Sequence, residues 1–253
     1  MLSMTSNKDF VFGRHAGLDC LETQPSDKIN KVMLQTGVQE EFAQKVLQLA
    51  KKKGLFVQRV PRKKLDQLTN NGNHQGLLVT IASFAYADLD TILPELEKDG
   101  HAPFLLMLDS IEDPHNLGSI LRTCDATGVD LVIIPKHRAT GLTPVVAKTS
   151  TGAIDHVPVA RVTNLAQTVK KLKKRGYWFF GTAMQGTDCR RWDATGKTCL
   201  VIGNEGKGVS RLLLKEMDET LTIPMIGEVQ SLNASVATAV LLYQMFNSRH
   251  PLK

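Results

Sequence analysis

The sequence predicts an α/β protein made of a small unit followed by a larger one built on a mostly parallel sheet. Three observations carry that prediction. Short runs rich in Val, Ile, Leu and Phe alternate with helical stripes along the 253 residues. In the later part those runs are almost continuously apolar, as strands buried on both faces are. Charge also breaks the chain: residues 1–85 hold twelve bases and seven acids, 86–100 one base and five acids, and 101–253 eighteen bases and thirteen acids. The expected boundaries are 9–85 for the first domain, 86–100 for an acidic linker and 101–253 for the second domain.

In the first domain FVFG, KVMLQTG, LFVQRV and GLLVTIASF read as strands. Between them EEFAQKVLQLAKKKG places apolar residues at 42, 43, 46, 47, 49 and 50, a helical stripe that stops at Gly54. RKKLDQLTNNG reads as a shorter helix. In the second domain FLLMLDSI, DLVIIP, HVPVARV, YWFFGTAM, TCLVIG and LTIPM read as strands, and NLGSILRTCDATG, NLAQTVKKLKKRG, SRLLLKEMDE and SLNASVATAVLLYQMFNS as helices. Such alternation implies a mostly parallel sheet covered on both faces, with ligands held in the loops at strand carboxyl ends.

Composition bounds the function. An apolar fraction of 42% and a charged fraction of 22% are those of a globular chain. No run approaches the ~18 apolar residues of a membrane helix, and the N-terminus lacks the apolar core of a signal peptide. Cys20, Cys124, Cys189 and Cys199 are scattered without a C-x-x-C pair, which predicts no metal site and a reduced, cytoplasmic setting. A net charge of +6 in two basic blocks suits a polyanion such as RNA, and ordinary solubility charge accounts for it equally. The basic run KKLKKRG, residues 170–176, reads as a solvated helix face. With 9 Phe, 3 Tyr and 2 Trp there is little material for a stacking platform, so folded RNA is the better expectation.

Three loops stand out. IGNEGKGVS, with Gly203, Gly206 and Gly208, follows the run TCLVI, yet fits neither G-x-G-x-x-G nor the phosphate loop, and Glu205 is a poor residue for a pyrophosphate cradle. DSIEDPHNLGSILRTCDATG follows FLLML; its Asn116 and Arg122 are six apart, nearly two turns, so both are expected near one helix face. Arg122 among apolar neighbours also reads as a residue that snorkels to solvent. In QSLNASVATAVLLYQ, Ser231 or Asn233 is expected to cap the following helix.

With LTIPM added, these segments together resemble the motifs of the SpoU ribose 2′-O-methyltransferases of the SPOUT superfamily, over residues 104–247. The first domain, from FGRHAGLDCL, resembles the L30e-type RNA-binding domain, with Gly17 where a larger apolar residue is usual. The two-domain order is similar to that of the bacterial 23S rRNA guanosine 2′-O-methyltransferases within the family. The resemblance implies a deep trefoil knot, S-adenosylmethionine as cofactor, a homodimer through the second domain, and RNA, above all 23S rRNA, as substrate. It also implies roles. Arg122 would act on a substrate phosphate and the 2′-hydroxyl, and Asn116 and Glu205 would orient Arg122 and the RNA. Ser231 and Asn233 would serve the cofactor edge and the active-site loop. Gly203, Ile223 and Leu232 would give the cofactor backbone contacts, and plain core packing is the other reading of the last two. His15, in the G-x-H-A signature, is either an RNA contact or a fold-stabilising hydrogen bond. The competing readings are a tRNA or resistance-type ribose methyltransferase, a non-catalytic RNA-binding or ribosome-assembly protein, and, more remotely, a nicotinamide-binding enzyme.

Overall fold

The computed structural model describes residues 10–81, 84–229 and 231–252. The start of the expected first domain at residue 9 and Gln230 of the third motif lie outside the described residues. The chain divides into two compact units, the first of residues up to Ala85 with Gly141–Pro144 and the second of Tyr86–Thr140 with the residues from Val145 on.

The first unit runs β1 (Phe10–Phe12), α1 (Arg14–Thr23), β2 (Ile29–Gln35), α2 (Glu40–Lys52), β3 (Val57–Val60), α3 (Arg62–Leu68) and β4 (Leu77–Ile81). Its four-stranded sheet has the order β1-β4-β2-β3, with only β2 and β3 parallel. The stripe of α2 buries Phe42, Ala43, Val46 and Ala50, while Glu40 and Glu41 in its first turn and Lys51 and Lys52 in its last complement the helix dipole. Gly54, at φ 63°, turns the chain out of the helix. Gly17 presses α1 onto β4: a Cβ there would stand 2.5 Å from Leu77 Cδ2, so the missing side chain sets the packing distance. His15 is exposed, and its side chain makes no hydrogen bond to another described residue.

The second unit begins with α4 (Leu89–Leu96) and continues β5 (Phe104–Asp109), α5 (Pro114–Thr127), β6 (Leu131–Pro135), α6 (Pro144–Ser150), β7 (Val159–Val162), α7 (Leu165–Lys173), β8 (Trp178–Asp188), β9 (Thr198–Gly203), α8 (Arg211–Leu214), β10 (Glu219–Thr222) and α9 (Ala234–Arg249). All five strand pairings of its sheet, β10-β8-β9-β5-β6-β7, are parallel. β5 and β9 lie at the centre with every residue buried. From β5 the chain winds outward through β6 and β7, then returns on the other side, so the β5–β9 boundary is a topological switch point where such sheets bind ligands.

The acidic segment 86–100 is not a tether. Asp88 caps α4 by accepting from Thr91 N at 2.9 Å, Leu93 is buried in the core of the second unit, and Ala87 N donates to Val159 O at 2.8 Å. Its acids meet bases. Glu97 receives Arg175 through two bonds, at 3.2 and 2.6 Å, with Lys197 at 3.4 Å, and Lys171 pairs with Asp90. The run 170–176 does present a solvated face, with Lys170, Lys171 and Lys174 exposed, and on it Lys170 reaches Glu216 at 3.3 Å and Lys173 reaches Asp218 at 2.6 Å. Two pairs, Lys171 with Asp90 and Arg175 with Glu97, link the two charge runs within one unit. The structure also adds α6, to which the sequence reading assigned no element. A Cβ on Gly118 would lie 2.6 Å from Thr149 Cβ, so α5 and α6 sit in close contact.

Candidate functional site

The loop after β9 is built around one position that admits no side chain. A Cβ on Gly203 would overlap the backbone of Gly208 and Val209, because the loop folds back directly over it. Gly208 N donates to Asn204 O at 2.8 Å, Gly206 N donates to Asn204 Oδ1 at 2.9 Å, and Gly208 takes φ 64°. The end of β5 latches this loop. Asp109 Oδ2 accepts from Ser210 N at 2.8 Å, and Asn204 Nδ2 donates to Ser110 O at 3.3 Å. Asp109 is buried, and Ser110 holds a positive φ of 64° beside it. The sequence reading assigned neither residue a role; the available signal was a carboxylate closing an apolar strand.

Under the loop lies a cavity of about 460 Å³, within the range of roughly 300–1,000 Å³ typical of small-ligand sites. Its walls come from the middle of β8, the carboxyl ends of β9 and β10, and the segment before α9 with that helix's first turn. Gly203, Glu205, Ile223, Ser231 and Leu232 all line it. Ile223 and Leu232 are only half-buried, so they present surface to the cavity rather than serving as closed core.

Three of the expected site residues form one hydrogen-bonded group at the rim. Asn116 Nδ2 donates to Glu205 Oε1 at 2.5 Å, and Asn233 Nδ2 donates to Asn116 Oδ1 at 3.0 Å and to Glu205 Oε1 at 3.4 Å. Asn233 Oδ1 meanwhile accepts from Ser235 N at 2.9 Å and Val236 N at 3.3 Å, capping α9. The cap is thus Asn233, while Ser231 is left exposed on the cavity wall. α5 starts where it must for this contact: Pro114 occupies its first turn, and Asp113 caps it by accepting from His115 N at 2.8 Å.

Arg122 is elsewhere. Six residues at the helical pitch of 3.6 per turn leave two side chains about 120° apart around the axis, so Asn116 and Arg122 do not share a face. Asn116 is buried against Glu205 and Asn233, whereas Arg122 is exposed, lines no part of the cavity, and has no hydrogen-bond or ion-pair partner among the described residues. Among those residues no group of three or more His, Cys, Asp or Glu gathers into a metal site, and no helix is long and apolar enough to cross a membrane.

A parallel sheet carrying a largely apolar cavity at its switch point, with a carboxylate and two amides at the rim, describes an α/β domain suited to a compact organic ligand. The comparisons make this particular. Residues 103–243 match the SpoU rRNA Methylase family, and residues 10–87 match the family model for RNA 2'-O ribose methyltransferase substrate binding. YacO of Bacillus subtilis (strain 168), named for the TrmH family of tRNA/rRNA methyltransferases, is 48% identical over 251 residues, 98% of this chain and 99% of its own. The AdoMet-bound rRNA methyltransferase from Sinorhizobium meliloti superposes with a TM-score of 0.60 at 25% identity, covering 97% of this chain and 88% of that one. The TrmH/SpoU tRNA modifying enzyme of A. aeolicus gives 0.54 at 32% identity, over 59% of this chain and 76% of that one.

The chain belongs to the SpoU (TrmH) family, and is an S-adenosylmethionine-dependent RNA methyltransferase. The site fits that cofactor. Apolar walls at Ile202, Val209, Leu221, Ile223 and Leu232 suit a purine face, and Asn204, Glu205 and Ser231 on the same wall offer polar groups to its edges.

Proposed function

We propose that this chain methylates the 2′-hydroxyl of a ribose in RNA, and that its target is a guanosine in the peptidyl-transferase region of 23S rRNA. The observation that carries the reading is the group Asn116–Glu205–Asn233, which joins all three loops singled out in the sequence at the mouth of one cavity. A knotted fold kept only as a relic has no reason to keep that group assembled. This argues against a non-catalytic RNA-binding or assembly protein. The match of the first unit to a 2'-O ribose substrate-binding model favours ribose over base. A tRNA ribose or a resistance-type rRNA site is the alternative within the same chemistry.

The cofactor supplies a methyl group already activated on sulfonium sulfur. What remains for the protein is to align the ribose oxygen with it and to ease loss of the hydroxyl proton. Gly203, Ile223 and Leu232 hold the cofactor. Ser231 borders its edge. Glu205, fixed by two amides, orients the RNA-facing loop. Arg122 clamps a substrate phosphate and stabilises the developing alkoxide, a role suited to a guanidinium that stays charged. Its solvent-exposed position follows if the active site is completed at a homodimer interface. On α9, Val236 and Tyr243 are 49% and 52% exposed and lie on one stripe with Val240. The trefoil knot, formed where the chain beyond β9 passes the cavity, and a cytoplasmic site of action beside nascent rRNA belong to the same reading.

The test is methyl transfer from labelled S-adenosylmethionine to 23S rRNA, 16S rRNA and total tRNA from a strain lacking the endogenous enzyme, with the modified position mapped by primer extension. Label in one 23S rRNA guanosine of the peptidyl-transferase region is expected. Label in tRNA alone moves the target to the alternative, and no label in any RNA returns the protein to a binding role.

A further inference from the structure

The first unit contains a cavity of its own, of about 710 Å³, at the carboxyl end of β2. Apart from Val38 and the glycines, the residues on its wall carry polar side chains. The loop between α3 and β4, TNNGNHQG, supplies much of it, and that loop is strained. Asn70 and Asn71 adopt φ of 50° and 59°, a left-handed region asparagine enters readily, and Gln75 adopts 48°, where a glutamine is strained. A buried histidine holds it there. His74 Nδ1 accepts from Gly76 N at 3.0 Å, which leaves the ring proton on Nε2, directed at Asp66 Oδ1 at 2.9 Å.

Arg14 then fixes two amides. Its backbone N donates to Gln75 Oε1 at 2.9 Å and its Nη1 donates to Gln39 Oε1 at 3.1 Å, while the guanidinium stacks over Phe42. Only oxygen accepts from these donors, so the orientation of both amides follows. Their NH₂ groups are left with no partner among the described residues, on the wall of the cavity. Gln39 precedes α2 yet does not cap it, because its oxygen is committed to Arg14. Arg62 lies across the cavity, 3.8 Å from Asp66.

We propose that this cavity is a nucleobase-reading pocket, which takes an unpaired base of the substrate RNA together with a flanking phosphate. The inference rests on the RNA methyltransferase reading above. Two oriented amide donors suit the carbonyl and ring-nitrogen acceptors of a base edge, and Arg14 and Arg62 suit the phosphate. The strained loop and the His74–Asp66 pair keep that donor set in place before RNA arrives, so little ordering is needed on binding. A protein partner is the weaker occupant, because Val38 is the only apolar side chain on the wall and such interfaces need apolar anchors.

The test uses the full-length protein carrying Gln39→Glu and Gln75→Glu. Both changes keep an oxygen for Arg14, remove the NH₂ donors and add one negative charge each. A control carries Gln58→Glu and Gln67→Glu, which add the same charge on exposed positions of the same unit. Affinity is measured by filter binding to whichever of 23S rRNA, 16S rRNA and tRNA the wild type methylates, or to the one it binds most tightly if it methylates none. The pocket variant is expected to lose about tenfold or more beyond the control. Melting temperature and S-adenosylmethionine affinity should be unchanged. Equal losses in the two variants, or no loss in either, would overturn the pocket. So would unchanged affinity for naked RNA combined with lost methylation of assembled ribosomal subunits, which marks a protein-docking surface. Failure of the enzymatic reading appears separately, as a wild type that methylates nothing.

Discussion

Asn116 on α5 and Glu205 in the loop after β9 stand 89 residues apart in sequence and 2.5 Å apart in space. That bond, with Asn233 closing the group, ties two loops and a helix start to the rim of the cofactor cavity. Its geometry leads to the first expectation. Asn116→Ala should slow single-turnover methylation by about a hundredfold, the usual consequence of slight misplacement of reacting groups. Cofactor affinity measured by calorimetry should stay within a few-fold of wild type. A variant with an unaltered rate would show that the group only braces the loops.

Gly203 should tolerate nothing larger. An added methyl overlaps backbone atoms of Gly208 and Val209, which cannot step aside as a flexible side chain does. Gly203→Ala should destabilise the second unit by about 1–3 kcal/mol and abolish detectable S-adenosylmethionine binding. Calorimetry beside a melting curve reads both effects.

Arg122 supplies a sharper contrast. Being exposed and without partners among the described residues, it should contribute almost nothing to folding, within about 0.5 kcal/mol. As a phosphate clamp it should still be worth about 10²–10³ in rate. Arg122→Ala should therefore melt like wild type, bind cofactor like wild type and fail to turn over. Arg122→Lys should not rescue it, because one ammonium lacks the planar two-pronged contact. A lysine variant with a near-normal rate would remove Arg122 from the mechanism.

The docking of α4 should depend on pH. Glu97 has a pKa held below the ordinary carboxylate range, chiefly by its hydrogen bonds from Arg175, with Lys197 adding to the effect. A lowered folded-state pKa gives stability that is fully present above the unfolded value, about 4.3. It is lost as pH falls through the folded value. Urea midpoints should place Glu97→Gln below wild type at pH 7, with the gap closing on acidification beneath pH ~4. A gap that stays constant with pH would mean that Glu97 acts only by packing.

The apolar stripe of α9 predicts the oligomeric state. Light scattering should give twice the 27.9 kDa of the chain, and Tyr243→Glu should return a monomer with reduced activity. A wild-type monomer at micromolar concentration would leave Val236 and Tyr243 unexplained.

How far the sequence disclosed this arrangement differs from part to part. The parallel sheet was legible because β5 and β9 are continuous apolar runs, and the glycines of GNEGKG marked the loop because only glycine permits its fold-back at Gly203. A cap at Ser231 or Asn233 was legible from their position before an apolar helix, and the structure decides for Asn233. The acidic stretch 86–100 was misread as a linker, since composition alone does not reveal that Asp90 and Glu97 have Lys171 and Arg175 waiting on another element. The face shared by Asn116 and Arg122 was misjudged by counting turns rather than degrees. Asp109 was missed because a single acid at a strand end resembles any turn residue until its long-range partner, Ser210, is seen.

The most direct test of the central claim asks which atom receives the methyl group. RNA labelled by the wild-type protein from S-adenosylmethionine is digested to nucleosides and resolved by mass spectrometry. The account predicts that the label sits on the ribose, as 2′-O-methylguanosine, and that Arg122→Ala yields none. A base-methylated nucleoside, or label that persists in the Arg122→Ala variant, would contradict it.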